Sequence, residues 1–260
     1  MSLKLFEAEL GQKLFDGERK DSLSPFGKDV FDLAVRQIKQ FDATVDAIEA
    51  RASSKHGLLR ISSIPSAAAA VFPVLLDRIM EEFPTIKLHL RDADSAQVLA
   101  ALNDGIADIG IASGSQQVSG LQSSVLFQDK FGLVVLDSHP LNLSNRDVTI
   151  DEVFSYPFIR TELCDQIQTK AVREFASAAP VTIRNTQSLV ALIQNGKWLS
   201  ILPQSIVHIL PSNCVFLLIK DFNDIRDVCL YRQQQTQYPE LVSRCAALIE
   251  TQFTNRFEGK

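Results

Sequence analysis

Hydrophobic residues between Gly57 and Ala112 follow two alternating periods, one typical of strands and one typical of helices. An apolar strand leads into a helical segment that ends at Phe83-Pro84, and a strictly alternating strand follows it. A second helical segment ends at Gly105, before another apolar strand. Two such units place helix N-termini at one edge of a sheet, where open α/β sheets bind small ligands.

The same alternation of strands and helices continues to the end of the chain and predicts an α/β fold with a mainly parallel sheet, or two. A capping box at Thr149–Glu152 begins one helix, and Pro239 begins the last. The predicted strands are Leu58–Ser62, Thr85–Arg91, Ala107–Ala112, Phe131–Asp137, Phe158–Thr161, Val181–Asn185, Leu199–Pro203, Val215–Ile219 and Asp227–Arg232.

Two helices are predicted in the first 56 residues: a short helix that Gly11 ends and, after a polar loop over Asp16–Ser24, a long helix over Pro25–Arg51, which Ser24 caps. Apolar residues of the long helix recur at spacings of three and four, which is typical of a coiled-coil seam. The face could instead pack on its own domain; the two-helix seam is the interpretation we favour. The seam consists of Phe31, Ala34, Ile38, Phe41, Val45, Ile48 and Ala52. The polar break at 53–57 predicts a hinge.

Composition places the chain among globular proteins of one or two domains, with 260 residues and a net charge of −5. The net negative charge argues against nucleic-acid binding over a broad surface, but it leaves a local contact with nucleic acid open. Four cysteines without a CxxC pair predict buried thiols in a reducing cytoplasm. The sequence contains no apolar run of membrane-spanning length and no secretory signal pattern.

Small polar residues at the ends of strands are the candidate ligand contacts. Those after the first strand combine hydroxyl groups with free backbone N–H groups at a helix start, which favours an anion. Ser66 could instead only cap its helix, as Asp94-Ser95 could cap the next. The candidates within the first βα units are Ser62, Ser63, Pro65, Ser66, Ser113 and Gly114, and those after later predicted strands are Thr161, Thr186, Gln187 and Ser188.

Catalytic and metal-binding patterns are missing from the sequence, so we expect neither an enzyme nor a cofactor. The four histidines stand apart from carboxylates and cysteines at metal-ligand spacing, and no nucleophile elbow, phosphate loop or dinucleotide fingerprint occurs. Cys164 could be a redox centre, but Glu162 and Asp165 disfavour its thiolate, and CDQIQTKAVREF contains no second Cys.

Five segments, in order, resemble the LysR-type transcriptional regulators over nearly the whole chain. SLKLFEAELGQKLF is similar to the end of the family's recognition helix, and LSPFGKDVFDLA to the start of its linker helix. ALNDGIADIGIA is close to the family's Leu-x-x-Gly-x-x-Asp-Leu-Ala-Ile pattern. The His139-Pro140-Leu141 loop and LVALIQNGKWLSILP match two later signatures, although Lys197-Trp198 replaces a common Gly.

The resemblance implies a two-subdomain effector domain of the type II periplasmic-binding-protein kind, with a cleft for a metabolite. It implies a remnant of a winged helix-turn-helix over 1–24 and a linker helix for dimerisation over 25–56. The first effector subdomain would comprise 57–128 and 234–260, and the second 129–233, with crossings near Phe127–Lys130 and Gln233–Thr236.

One departure from the family concerns DNA. The chain opens inside the expected recognition helix, without the helices that brace it in a helix-turn-helix, which predicts an N-terminal truncation. Residues 1–56 hold nine Lys and Arg against ten Asp and Glu, whereas phosphate binding needs a clustered positive face. We therefore expect weak or absent DNA binding. The residual contacts would be Ser2, Lys4, Arg19 and Lys20.

The expected function is a LysR-type regulator that senses a small, anionic metabolite and acts as a homodimer or homotetramer in the cytoplasm, away from membranes. The alternative is a binding module of the solute-binding type without a DNA function. The seam on the linker helix discriminates between them, because a monomeric solute binder does not need it.

Overall fold

A computed structural model describes residues 2–17, 21–53, 57–114, 117–144, 146–234, 236 and 238–257. The N-terminal part comprises α1 (Leu3–Leu10), a hairpin of β1 (Phe15–Asp16) and β2 (Ser22–Leu23), and α2 (Pro25–Ser53). Gly11 ends α1 with a φ of 70°, as predicted. The Ser24 hydroxyl accepts a hydrogen bond from the Gly27 N–H at 2.9 Å, which confirms the predicted cap of α2.

Hydrophobic residues along α2 face solvent. Phe31, Ile38, Phe41 and Ile48 are each more than half exposed, and Ala34 and Val45 are exposed as well. The alternative in which this face packs on its own domain is therefore wrong for these residues. The side chain of Ala52 and the whole of Ser54, Lys55 and His56 lie outside the described residues, so the predicted hinge is only partly described.

The first lobe begins with the two predicted βα units. Its elements are β3 (Leu58–Ser63), α3 (Pro65–Glu82), β4 (Lys87–Asp92), α4 (Ser95–Asn103) and β5 (Ile109–Ser113). Strands β4 and β5 both pair parallel with β3. An ion pair of 2.9 Å between Arg60 of β3 and Asp108, just before β5, ties the two strands together.

The remaining elements form the second lobe and return the chain to the first. They are β6 (Leu121–Leu136), α5 (Pro140–Leu143), α6 (Ile150–Phe154), β7 (Ile159–Arg160), a 3₁₀ helix at Glu162–Gln166, α7 (Lys170–Ser177), β8 (Val181–Thr182), α8 (Thr186–Ile193), β9 (Ser200–Pro203), a 3₁₀ helix at Gln204–His208, β10 (Cys214–Leu217), β11 (Ile225–Gln233) and α9 (Pro239–Phe257). Within the described ranges, no helix has the length and apolarity needed to cross a membrane.

The sheet is mixed, so the expectation of mainly parallel pairing is wrong. Among the described strands, the β3–β4, β3–β5 and short β7–β8 pairs are parallel, whereas β11 and β6 pair antiparallel with their neighbours. The reason is that β6 leaves the first lobe and β11 re-enters it, so these crossing strands run against the strands beside them.

Strand β6 is longer than predicted and connects the two lobes. It begins at Leu121, ten residues before the predicted start at Phe131. Residues 121–130 pair with β11, and residues 131–136 pair with β9 and β10. The first half was missed because Gln122, Ser123 and Ser124 interrupt the apolar pattern on which the prediction relied.

Separate hydrophobic cores fill the two lobes. In the first, α3 and α9 pack on the sheet through residues such as Leu75, Ile79, Ile249 and Phe253, and α4 covers the opposite face. The second lobe has cores around Phe131 and Val134. Since Val228 and Leu230 of β11 belong to the first core, the second crossing lies nearer residue 224 than Gln233–Thr236. The division into domains otherwise stays a prediction.

Candidate functional site

A cavity of about 380 Å³ lies between the two lobes. The first lobe contributes the starts of α3 and α4 and one residue of β11, Arg226. The second lobe contributes the start of the first 3₁₀ helix, the start of α8 and the end of β9 with the 3₁₀ helix that follows it. We call this cavity the cleft. Its volume is in the range of pockets that bind small molecules.

Three helices of at least eight residues begin at the cleft and direct their positive dipole ends towards it. The carboxylate of Asp94 caps α4 by accepting a hydrogen bond from the Gln97 N–H at 2.8 Å. The side chain of Asn185 caps α8 in the same way, accepting from the Ser188 N–H at 3.0 Å. Asp94 thus has the predicted capping role and also lines the cleft.

Helix α3 begins differently. Its N-cap is Ile64, which offers no side-chain cap, so the alternative in which Ser66 only caps this helix is wrong. Ser66 is the second residue of the helix, and among the described residues its backbone N–H has no hydrogen-bond acceptor. An uncapped N–H at the start of an 18-residue helix is a donor available to a ligand.

A buried ion pair forms the floor of the cleft beneath Ser66. The guanidinium of Arg226 donates to the Asp129 carboxylate at 2.9 Å through Nη2 and at 3.2 Å through Nε. Nη2 also contacts the hydroxyl groups of Ser66 at 3.5 Å and Ser205 at 3.4 Å. Burial lowers the pKa of Arg226, and the charge of Asp129 opposes that shift. Even so, arginine remains protonated at neutral pH.

Asp129 also accepts hydrogen bonds from the second lobe. The backbone N–H of Ser205 donates to it at 2.9 Å, and the Ser205 hydroxyl donates at 2.6 Å. The carboxylate is therefore fixed by β6, β11 and the second 3₁₀ helix. This network holds the Arg226 side chain in place at the cleft floor.

Apolar side chains of the second lobe form the opposite wall. They come from the first 3₁₀ helix, from β8 to α8, and from β9 with the 3₁₀ helix after it. They are Leu163, Ile183, Leu189, Leu202, Ile206 and Ile209. At the rim, Arg184 and Glu162 form an ion pair of 2.7 Å between exposed side chains. The cleft thus combines a polar floor with an apolar wall.

The predicted ligand contacts fall into two groups. Pro65, Ser66, Thr161 and Thr186 line the cleft. Those outside its lining are Ser62, Ser63, Ser113, Gly114, Gln187 and Ser188. Ser62 and Ser63 are buried within β3, and the Ser63 hydroxyl donates to the Ile64 carbonyl.

Ser113 bridges the lobes instead of lining the cleft. Its hydroxyl contacts Oε1 of Gln166 at 2.6 Å, and Gln166 itself lines the cleft from the second lobe. Gly114 lies next to Ser113 and accepts a hydrogen bond from the Cys229 thiol at 3.5 Å. Ser113 therefore lies at the boundary between the lobes, whereas the hydrogen bond of Gly114 is made within the first lobe.

Arg226 and Asp129 are the functional candidates that the sequence prediction missed. A signal was present, because Arg226 alternates with the buried residues Val228 and Leu230, and a charge on the inward face of a strand is unusual. The predicted strand began at Asp227 and so excluded it. Nothing in the sequence distinguishes the apolar residues of the cleft wall from residues of the hydrophobic core.

Cys164 lies behind Thr161, close to the cleft but outside its lining. Only 1% of it is exposed, and its sulfur is 3.9 Å from the Thr161 hydroxyl. Burial raises the pKa of the Cys164 thiol, which opposes formation of a reactive thiolate.

Comparison with known proteins gives consistent results. Residues 52–254 match the model of the LysR substrate binding domain. The chain is 24% identical over 160 residues to the transcriptional regulator CysB of Haemophilus influenzae, covering 60% of this chain and 49% of CysB. It is 25% identical over 236 residues to a probable hydrogen peroxide-inducible genes activator of Streptomyces viridosporus, covering 86% of this chain and 73% of that protein.

The fold is shared with solved structures of the same kind. The crystal structure of CbnR, a LysR family transcriptional regulator, superposes with a TM-score of 0.67 at 17% identity, covering 96% of this chain and 87% of CbnR. The architecture is thus the two-lobed, type II periplasmic-binding-protein-like fold of LysR effector domains. The chain spans about half the length of CysB, the first of these relatives.

Proposed function

Because the chain belongs to the LysR substrate-binding domain family, we propose that it is the effector-binding and dimerising part of a transcriptional regulator. A small, anionic metabolite binds in the cleft and shifts the equilibrium between arrangements of the two lobes. The change reaches a second copy through α2 and re-spaces the paired linker helices. The observation that carries this proposal is the cleft itself, with its convergent helix N-termini and fixed Arg226.

Dimerisation through α2 is supported by its exposed seam. Apolar side chains repeat along the helix at the spacing of a coiled coil, yet they contact little of their own chain. A second α2 would cover them. The oligomer is either a homodimer or a homotetramer built from such pairs.

DNA contact by this chain is proposed to be weak. Ser2 caps α1, and Lys4 is exposed on the same helix, whereas Arg19 and Lys20 lie outside the described residues. Apolar residues of α1, including Leu3, Leu5 and Leu10, are exposed, and Glu7 ties the helix to the segment after it by accepting a hydrogen bond from the Leu14 N–H at 2.9 Å. The residues up to 56 carry no excess of positive charge that could hold DNA phosphates.

A thermal-shift panel tests effector binding. Carboxylic acids, amino acids and aromatic acids are added in turn to the full chain, and at least one should raise the melting temperature in a saturable manner. A ligand at 100 times its Kd stabilises a single site by about 2.7 kcal/mol. A melting temperature that no compound moves would contradict the proposal.

Light scattering tests the seam. Phe41→Glu places a charge in the seam and should yield monomers, while Arg36→Glu, on the opposite face of α2, should leave the oligomer intact. A monomeric unmodified chain would favour the alternative, a solute-binding module without a DNA function.

A further inference from the structure

We infer that the effector is a monocarboxylate with an apolar body, whose carboxylate binds Nη1 of Arg226 and the backbone N–H of Ser66 while its body lies on the apolar wall of the cleft. This names the ligand class of the site and rests on the function proposed above. The inference rests on unused donors that face the cleft, on a charge balance that suits one negative charge, and on the apolar surface opposite.

The unused donors belong to Arg226. A guanidinium offers five N–H donors. Asp129, Ser66 and Ser205 engage Nε and Nη2, and no hydrogen bond joins Nη1 to any part of the chain that the structure describes. The Arg226 side chain is only 4% exposed and lines the cleft. Nη1 is therefore a donor that the described part of the chain leaves free for an acceptor on a ligand in the cleft.

The ligand group must be an acceptor because the floor presents donors. The N–H of Ser66 adds one at the positive end of α3, beside Arg226. A carboxylate accepts from both, and an arginine already held by Asp129 gives up little side-chain freedom when it binds. A ligand amine would bring a positive charge and further donors next to the guanidinium of Arg226 and the positive end of α3.

The charge of the floor limits the ligand to one negative charge. Asp129 already neutralises Arg226, so the attraction comes from the free donors and the helix dipole. The other arginine of the lining, Arg184, is exposed and paired with Glu162. A dicarboxylate, sulfate or phosphate would carry a second charge without a second cation, and Asp94 at the rim would repel it.

The apolar wall selects the rest of the molecule. Leu189, Leu202 and Ile206 are buried, and with Ile183 and Ile209 they present a surface that gives a polar body no partners. Hydrophobic burial favours an aliphatic chain or a single ring there. The cleft volume leaves room for such a body beyond the carboxylate.

Titration calorimetry on the full chain tests the ligand class with a homologous series. Straight-chain acids from acetate to decanoate, and benzoate, are compared with octanamide, octanol and the dicarboxylate suberate. Affinity should rise with chain length until the cleft is filled. Octanamide, octanol and suberate should bind at least about tenfold more weakly than octanoate.

Variants test the two contacts separately. Ile209→Asp should weaken octanoate binding by about tenfold or more, while Val207→Asp, an exposed neighbour outside the cleft lining, should not. The double variant Asp129→Leu with Arg226→Met removes the donors without leaving a buried charge unpaired, and should abolish the preference for octanoate over octanamide. If that variant does not fold, the ligand series and the comparison of Ile209→Asp with Val207→Asp still test the inference.

Two results would overturn the inference. One is equal binding of octanoate and octanamide, and the other is no binding by any member of the acid series. In the second case, binding of an amino acid or a polycarboxylic acid in the thermal-shift panel would leave the proposed function standing, whereas a completely silent panel would remove both.

Discussion

Arg226 and Asp129 form an ion pair of 2.9 Å in which 4% and 2% of the two side chains are exposed. The pair joins β11 to β6 at the point where β6 passes between the lobes, and Ser205 of the second lobe donates two hydrogen bonds to the same carboxylate. One buried network thus fixes the crossing strands and the floor of the cleft together.

Loss of the carboxylate should be costly because it leaves a buried guanidinium without a counter-charge. Asp129→Ala is expected to lower the free energy of unfolding by about 3–5 kcal/mol. Glu174→Ala, which removes the exposed pair with Lys170, should cost no more than about 0.5 kcal/mol. Urea denaturation of both variants measures the difference, and similar losses would contradict the structural role of the pair.

Two glycines permit close packing, and their substitutions should differ in cost. A Cβ at Gly132 would lie 2.4 Å from Cζ of Phe216 and 2.7 Å from the backbone oxygen of Leu217. At Gly110 it would lie 2.6 Å from the end of the Leu102 side chain. Side-chain ends can move more easily than strand backbone, so Gly132→Ala should destabilise the protein more than Gly110→Ala.

Each of these substitutions should cost about 1–3 kcal/mol, with Gly132→Ala at the upper end. The measurement is urea denaturation of the two variants beside the unmodified chain. A larger loss for Gly110→Ala would show that the strand pairing of β6 with β10 adjusts more readily than the packing of α4.

Cys164 should not respond to peroxide, although several relatives carry the name of peroxide-inducible gene activators. Burial raises its pKa, so little thiolate exists at neutral pH to attack peroxide. We expect no sulfenic acid at Cys164 after brief peroxide treatment of the folded chain, as measured by dimedone labelling and mass spectrometry. Denatured protein is the control, in which the thiol should react.

Efficient labelling of folded protein at Cys164 would contradict this prediction. A Cys164→Ser variant that lost a peroxide response but kept its effector response would also contradict it.

Cys245 should make stability fall at alkaline pH. Burial first, and Glu82 next, raise its pKa from 9.0 to about 12. A group whose pKa is raised by folding stabilises the protein fully below its unfolded pKa, and this contribution is lost as pH rises through the folded value. The free energy of unfolding should therefore decline between pH 9 and about 12.

Cys245→Ala is the comparison for that decline. Other groups whose pKa is raised by burial, such as Tyr231, are present in both chains, so the difference in slope reports Cys245. The variant should show the shallower decline in urea denaturation across the pH range. Equal slopes of the free energy of unfolding against pH in the two chains would contradict the assignment of the decline to Cys245.

Much of the fold could be predicted because local patterns determine it. The βα units over β3–β5 follow from apolar strands and from the Asp94 cap, and the resemblance to LysR regulators gave the two lobes. The antiparallel pairing of β6 and β11 could not be predicted in this way. It depends on where the chain crosses between the lobes, and the spacing of apolar residues along the sequence does not indicate those points.

The site was predictable only in part. Ser66, Thr161 and Thr186 were found because strand ends and helix starts are visible in a sequence. The Arg226–Asp129 pair joins residues 97 positions apart, and its partners can be known only from the folded chain. Ser62 and Ser63 look like ligand contacts in the sequence, but both are buried within β3, which extends one residue further than predicted, to Ser63.

The measurement that tests the central claim most directly is ligand binding to a variant in which a larger side chain fills the cleft. Ala96 is exposed and lines the cleft at the start of α4, and the adjacent Gln97 is exposed outside it. For the compound that gives the largest thermal shift, calorimetry should show that Ala96→Trp abolishes binding and that Gln97→Trp leaves its Kd within about twofold. Undiminished binding by Ala96→Trp would place the ligand elsewhere and contradict the account.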